Sequence, residues 1–173
     1  MIVDLGVLEK SALPFEFSIQ PGEIDLEDET AKLESVVKVA GELKKGIAQT
    51  DVSGKISAKV LLECSRCLNE VERNLEFPFE AAFVGPEHYS DAKEVGLSEA
   101  DLNVSLIEDE KIDLKELARE QILLNLPEQV FCAEDCKGLC DKCGANRNLI
   151  NCNCEEKEID PRWAALKDLK RDT

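Results

Sequence analysis

The sequence is short of the residues from which most catalytic sites are built. Its one histidine, His88, lies in a polar stretch and reads as an exposed side chain. There is no glycine-rich phosphate loop and no His-Glu-x-x-His, and the carboxylates lie in solvated runs such as GEIDLEDE. These absences predict a protein that is not an enzyme. No apolar run approaches the roughly 18 residues that would predict a membrane-spanning helix. The opening MIVDLGVLEKSALPFEF carries Asp4 and Glu9 where a secretory leader would place basic residues and an apolar core. The expectation is a cytoplasmic protein in a reducing compartment, where clustered cysteines are more often metal ligands than disulfides.

Positive charge is also scarce. Lys and Arg total 21 against 37 Asp and Glu, a net charge of −16. The deficit is uneven: residues 1–130 hold 13 basic and 28 acidic side chains, residues 131–173 hold 8 and 9. Such an acidic body repels phosphate backbones, because non-specific nucleic-acid affinity comes mainly from counterion release by Lys and Arg. It suits a basic partner, although an acidic surface also serves solubility alone.

What is present is a β-rich first half. PFEFSI alternates Phe15, Phe17 and Ile19 against Glu16 and Ser18. GKISAKVLLEC sets Ile56, Ala58, Val60 and Leu62 on one face, and LESVVKVAGEL turns Val37 and Val39 inward. VERNLEFPFEAAF places Val71, Leu75, Phe77, Phe79, Ala81 and Phe83 in one register, with Pro78 on the polar face of an expected edge strand. A short strand is expected in DLNVSLI, within a long polar loop over 85–110. Two helices follow. Asp113 and Glu116 form a capping-box pair ahead of Leu114, Leu117, Ala118 and Ile122, and Pro127 ends the run. In IDPRWAALKDLK, Asp160 caps, Pro161 takes the first helical position, and Trp163, Leu166 and Leu169 form a stripe. The predicted fold is α+β: an antiparallel β-sheet or small open barrel with two packed helices and a cysteine-rich zinc segment. One folding unit is expected, with an acidic body over 1–130, including a helix near 113–126, and a zinc segment plus C-terminal helix over 131–173 docked on it.

Eight cysteines fall into four close pairs: Cys64 with Cys67, Cys132 with Cys136, Cys140 with Cys143, and Cys152 with Cys154. Cys64 and Cys67 stand between two strands, as in a zinc knuckle, where a tight turn aims backbone N–H groups at sulfur. Four pairs make two four-cysteine sites in three ways. Joining Cys140/Cys143 to Cys152/Cys154 closes only the loop 144–151, at little entropic cost, and Gly144 can take the left-handed conformation after CDKC. Cys64/Cys67 then pair with Cys132/Cys136 in a long-range clip. Putting Cys132/Cys136 with Cys140/Cys143 would instead crowd four ligands into twelve residues, more like an iron–sulfur run, though the spacing fits no such pattern. The reading is two zinc ions, each held by four thiolates and acting as staples, since four thiolates leave no open position for Lewis-acid chemistry.

CSRCL after an alternating strand, then CKGLCDKCGANRN and CNCEEKEIDPRWAALKDL, resemble the two halves of the bacterial and plastid YceD family, the large ribosomal RNA subunit accumulation proteins. The resemblance covers most of the chain in order. By position it takes in the eight cysteines, Arg66, Gly138, Gly144, Asn146, Asn148, Asp160 and Pro161. Three features depart from it: Asp141 where proline is common, Arg147 at a usually apolar position, and Leu149–Ile150 in a usually polar or glycine-containing turn. The resemblance implies a role in accumulation of large-subunit ribosomal RNA and in ribosome assembly. With the charge balance, this points to basic ribosomal proteins or assembly factors as partners, with RNA contact, if any, through Lys137, Lys142 and Arg147 in the near-neutral zinc segment. The rival from another class is a redox-switched zinc chaperone that releases metal and unfolds on oxidation. An oxidoreductase would need a free low-pKa thiolate, and metal-bound cysteines are already committed.

Overall fold

The computed structural model describes residues 1–8, 12–86, 104–107, 109–154 and Arg162. Among them are eight strands and one α-helix: β1 (Ile2–Asp4), β2 (Ala12–Ile19), β3 (Ala31–Leu33), β4 (Val37–Lys45), β5 (Gln49–Glu63), β6 (Glu70–Val84), β7 (Val104–Leu106), β8 (Lys111–Asp113) and α1 (Leu114–Leu124). The main sheet runs in the order β2-β4-β5-β6-β7, with β3 also paired to β5. It is an open α+β sheet, antiparallel except at the short β6–β7 contact. The second expected helix, at IDPRWAALKDLK, falls outside the described residues apart from Arg162, as does His88.

The alternating patterns become cross-strand rows. Phe17, Val39, Ile56 and Phe77 line up across four strands, and so do Leu13, Leu43, Val52 and Ala81. Val39, Leu43, Val52 and Ile56 are essentially sealed from solvent. Burying each side chain of this size contributes about 1.5–3 kcal/mol. Between these rows, Phe15 and Phe79 flank the facing glycines Gly41 and Gly54. A Cβ on Gly41 would meet Phe15 at 2.7 Å, and one on Gly54 would meet Phe79 at 2.9 Å, so the two rings fill the space the glycines leave. The opposite face is charged and partly ion-paired: Lys59 lies 2.6 Å from Glu72 and 3.1 Å from Glu34, and Lys55 pairs with Glu76. Pro78 sits opposite Lys55, and β7 reaches only Ala82–Val84, so the outer edge at Pro78 has no strand beside it among the described residues.

The chain then delivers a segment to one end of this sheet. A small two-stranded sheet pairs Val3 with Ile112 and runs straight into α1. Asp113 caps the helix, accepting from the Lys115 N–H at 2.9 Å, and also lies 3.2 Å from the N-terminal ammonium. Glu116 does not complete the capping box; its carboxylate pairs with Arg119 at 2.9 Å instead. Arg119 also pairs with Glu27 and donates to the Asp25 carbonyl, tying the β2–β3 connection to the helix. Leu114, Leu117, Ala118 and Ile122 are the buried stripe, packed toward β1 and β5. After Pro127 the chain runs back to the tip of the β5–β6 hairpin, where Val130 and Ser65 exchange hydrogen bonds of 2.8 and 3.1 Å.

Candidate metal centres

The first cluster forms where β5 and β6 meet. Cys64 N–H donates to the Asn69 carbonyl at 2.8 Å, and Leu68 N–H to the Cys64 carbonyl at 2.9 Å, with Leu68 forced to a φ of 60°. This knuckle turns both sulfurs the same way. Cys132 and Cys136 arrive from across the chain, and the four sulfurs lie within 4.8 Å of one another. Cys64 is 3.8 Å from Cys136 and Cys67 is 3.5 Å from Cys132, sulfur to sulfur. A disulfide needs about 2.05 Å. Four sulfurs placed tetrahedrally at the zinc–thiolate distance stand about 3.8 Å apart. The donor set and its spacing therefore fit a tetrahedral metal ion.

Arg66, between the two knuckle ligands, holds the incoming segment. Its guanidinium donates to the carbonyls of Cys136 (3.0 Å) and Glu134 (3.3 Å) and lies 4.4 Å over the Phe131 ring. Arg73 adds a hydrogen bond to the Phe131 carbonyl at 3.0 Å. Gly138 passes so close that a Cβ there would stand 2.9 Å from the Arg66 carbonyl, and its φ is 71°. Only glycine suits that position.

The second cluster is local. Cys140, Cys143, Cys152 and Cys154 also lie within 4.8 Å of one another. Gly144, at a φ of 70°, donates to the Cys140 carbonyl at 2.8 Å, and Cys140 donates to the Ala145 carbonyl at 2.9 Å. These are the two groupings the spacing argument favoured, and each can hold one metal ion. The clusters differ in exposure: Cys64, Cys67, Cys136 and Cys140 are buried, whereas Cys132, Cys143 and Cys154 are exposed.

Proton affinities in each cluster are pushed apart. Burial pushes the Cys64 thiol up, but the backbone N–H groups of Arg66, Cys132 and Cys67 outweigh it and bring the pKa down to about 6. The N–H groups of Cys143 and Lys142 likewise draw Cys140 down to about 6. The sulfurs of Cys136 and Cys67 push Cys132 up to about 12, and Cys143, with burial and Cys140, does the same to Cys154. Sulfurs this close cannot all ionise without a cation among them. Metal uptake must therefore displace protons, including the most tightly held ones, on Cys132 and Cys154. Metal affinity should rise with pH across neutrality and fall steeply below about pH 6, where Cys64 and Cys140 also take up protons. Chelator competition across that range, with proton release measured at each pH, checks this. Elemental analysis of protein purified without chelator should give close to two zinc ions per chain. A ratio near one, or iron with visible colour, would defeat the two-zinc reading.

Of the three cations expected at a contact surface, Lys137 and Arg147 line one open hollow of about 430 Å³ with Ile150, Asn151 and Cys152. Lys142 is exposed but does not line it. None of the three has an ion pair among the described residues. Asn69, Arg73 and Phe131 around the first cluster were not legible as site residues. The bond between Arg73 and Phe131 joins segments 58 residues apart, which no local spacing records.

The family model described as large ribosomal RNA subunit accumulation protein YceD matches residues 52–170, which include all eight cysteines. The chain belongs to the YceD family. The chain is similar to YlbN of Bacillus subtilis (strain 168), 31% identical over 169 residues, covering 97% of this chain and 94% of that protein. A Mycobacterium tuberculosis (strain ATCC 25618 / H37Rv) protein is 32% identical over 118 residues, 68% of this chain; the match spans 54% of the mycobacterial protein. The large ribosomal RNA subunit accumulation protein YCED homolog 1, chloroplastic, of Arabidopsis thaliana is 35% identical over 60 residues, 35% of this chain and 19% of the plant protein. No solved structure matches. In this YceD chain the matched region begins inside β5 and carries both cysteine clusters.

Proposed function

We propose that the chain is a non-enzymatic, cytoplasmic zinc protein that assists accumulation of large-subunit ribosomal RNA, and hence ribosome biogenesis. The observation that carries this reading is the YceD match over residues 52–170, the segment whose cysteines assemble into two four-thiolate clusters. Zinc is the metal that four tetrahedral thiolates favour in a staple site, and a filled cluster has no open position for a substrate. Each filled cluster adds two negative charges, taking the total from −16 to about −20. That charge favours contact with basic ribosomal proteins or assembly factors, with ribosomal RNA reached indirectly.

An affinity pull-down from lysate, with and without nuclease, tests the reading. Ribosomal proteins or assembly factors should stay bound after nuclease. A partner set lacking ribosomal proteins, assembly factors and ribosomal RNA would overturn it. The redox-switched chaperone keeps one supporting observation, the exposure of Cys143 and Cys154, which opens the second cluster to oxidants. Aggregation suppression that appears only after peroxide treatment and zinc loss would favour that rival.

A further inference from the structure

One side chain joins the two clusters. Asn148 lies on the short loop closed by the second cluster, yet its Nδ2 is 3.3 Å from the Cys136 sulfur of the first. The orientation of its amide is fixed by chemistry. The Lys137 backbone N–H, which can only donate, meets the other terminus at 2.8 Å, so that terminus is the oxygen and the NH₂ faces sulfur. Among the described residues it is the one side chain donating a nitrogen-borne hydrogen to a cluster sulfur.

Asn148 is itself held by the loop. Asn146 Oδ1 accepts from its backbone N–H at 3.0 Å and from its Nδ2 at 2.9 Å. Asn146 also reaches Asn69 on the knuckle turn, at 3.3 Å. Backbone bonds run alongside: Arg147 N–H to the Gly138 carbonyl at 2.9 Å, and Leu139 N–H to the Arg66 carbonyl at 3.0 Å. The knuckle, the connector from Cys136 to Cys140 and the second cluster's loop therefore form one hydrogen-bonded unit.

We propose that Asn148 is a positioning residue that couples the two metal sites, so that filling the Cys140/Cys143/Cys152/Cys154 site tightens binding at the Cys64/Cys67/Cys132/Cys136 site. Four thiolates around a dication carry excess negative charge, and an N–H aimed at a ligand sulfur offsets part of it and fixes the ligand's direction. The Asn148 amide is in place only while its loop is closed. An ion in the second site closes that loop and removes the ordering cost before the first site binds. Linkage makes the effect reciprocal.

The inference rests on the metal reading of both clusters, and the test separates the two. The full chain is titrated with zinc against a chromophoric chelator, and with cobalt to read the thiolate-to-metal charge-transfer bands of each site. The Cys152→Ser/Cys154→Ser variant assigns the steps. Asn148→Ala should lower first-site affinity about 10-fold with the second site still loaded. Asn148→Asp keeps the acceptor for Lys137 N–H but sets a carboxylate against sulfur, and should cost at least as much. Cys152→Ser/Cys154→Ser should lower first-site affinity to a similar extent, and adding Asn148→Ala to it should cost less than about a further twofold. First-site affinity unchanged in Cys152→Ser/Cys154→Ser overturns the coupling, whatever Asn148→Ala does to the fold. Effects that multiply in the combined variant overturn Asn148 as the link. A chain that takes up no metal at all defeats the metal reading instead.

Discussion

Cys64→Ser should lower the midpoint of thermal unfolding by about 10 °C or more, and Cys152→Ser should leave the unfolding of the sheet within a few degrees of the parent. The two substitutions remove the same chemistry, one thiolate of four, so the difference lies in what each site ties together. Cys64 is fully buried at the hairpin tip, and Val71 packs against both its cluster and the main core. The ion that Cys64 would hold fastens the ends of β5 and β6 to the segment leaving α1. Its binding energy, on the order of 10 kcal/mol, then counts toward folding of the whole sheet and helix. Cys152 closes only the loop from Cys143, and none of the four cysteines of its cluster lies next to a strand end, as Cys64 does. Treatment with a chelator should reproduce the larger loss in the parent chain. Equal shifts in the two variants would argue against a clip between the sheet and residues 132–136.

Most of the scaffold was legible because its signals are local and periodic. The alternation in Ile56, Ala58, Val60 and Leu62 defines a face whatever strand lies beside it, and all four are buried. The helix stripe from Leu114 to Ile122 and the knuckle at Cys64 and Cys67 are equally self-contained. The grouping of cysteines followed from loop length, since closing eight residues is easy and only one grouping remains once that is done. Of the short elements, only β7 had a local signal. β1 and β8 have three residues each and are strands only because Val3 meets Ile112 across the whole chain. β7 was expected from DLNVSLI, but its parallel pairing with β6 carries no sequence mark. Glu116 had two partners within reach, Asp113 and Arg119, and the ion pair with Arg119 won. Asn146 and Asn148 stood out only as part of a family motif; what they do depends on where Cys136 and Asn69 lie in space.

The charge balance leads to the other large effect. Affinity for bare ribosomal RNA should be weak at physiological salt, because a net charge of −16, more negative still with zinc in both clusters, opposes phosphate contact nearly everywhere, leaving only a few cations such as Lys137, Lys142 and Arg147. Association with a basic ribosomal protein should be fast at low salt and slow by as much as about 100-fold as salt rises, since opposite fields steer encounter and salt screens them. The partly ion-paired sheet face contributes little to that field, as Lys55, Lys59 and Lys44 neutralise several of its acids. Exposed acids with no ion pair among the described residues contribute more, and Glu80, Glu120 and Glu128 are three of these. Reversing all three to Lys moves the formal charge from −16 to −10, each change counting two. Association rates measured by stopped flow should then fall at low salt and converge with the parent's at high salt, while metal content stays that of the parent, because none of the three is a cluster residue. If the parent chain instead binds isolated RNA tightly at physiological salt and ignores basic proteins, the acidic body is not the recognition element. The cations of residues 131–154 would then carry the contact, and substituting Lys137 and Arg147 would abolish it.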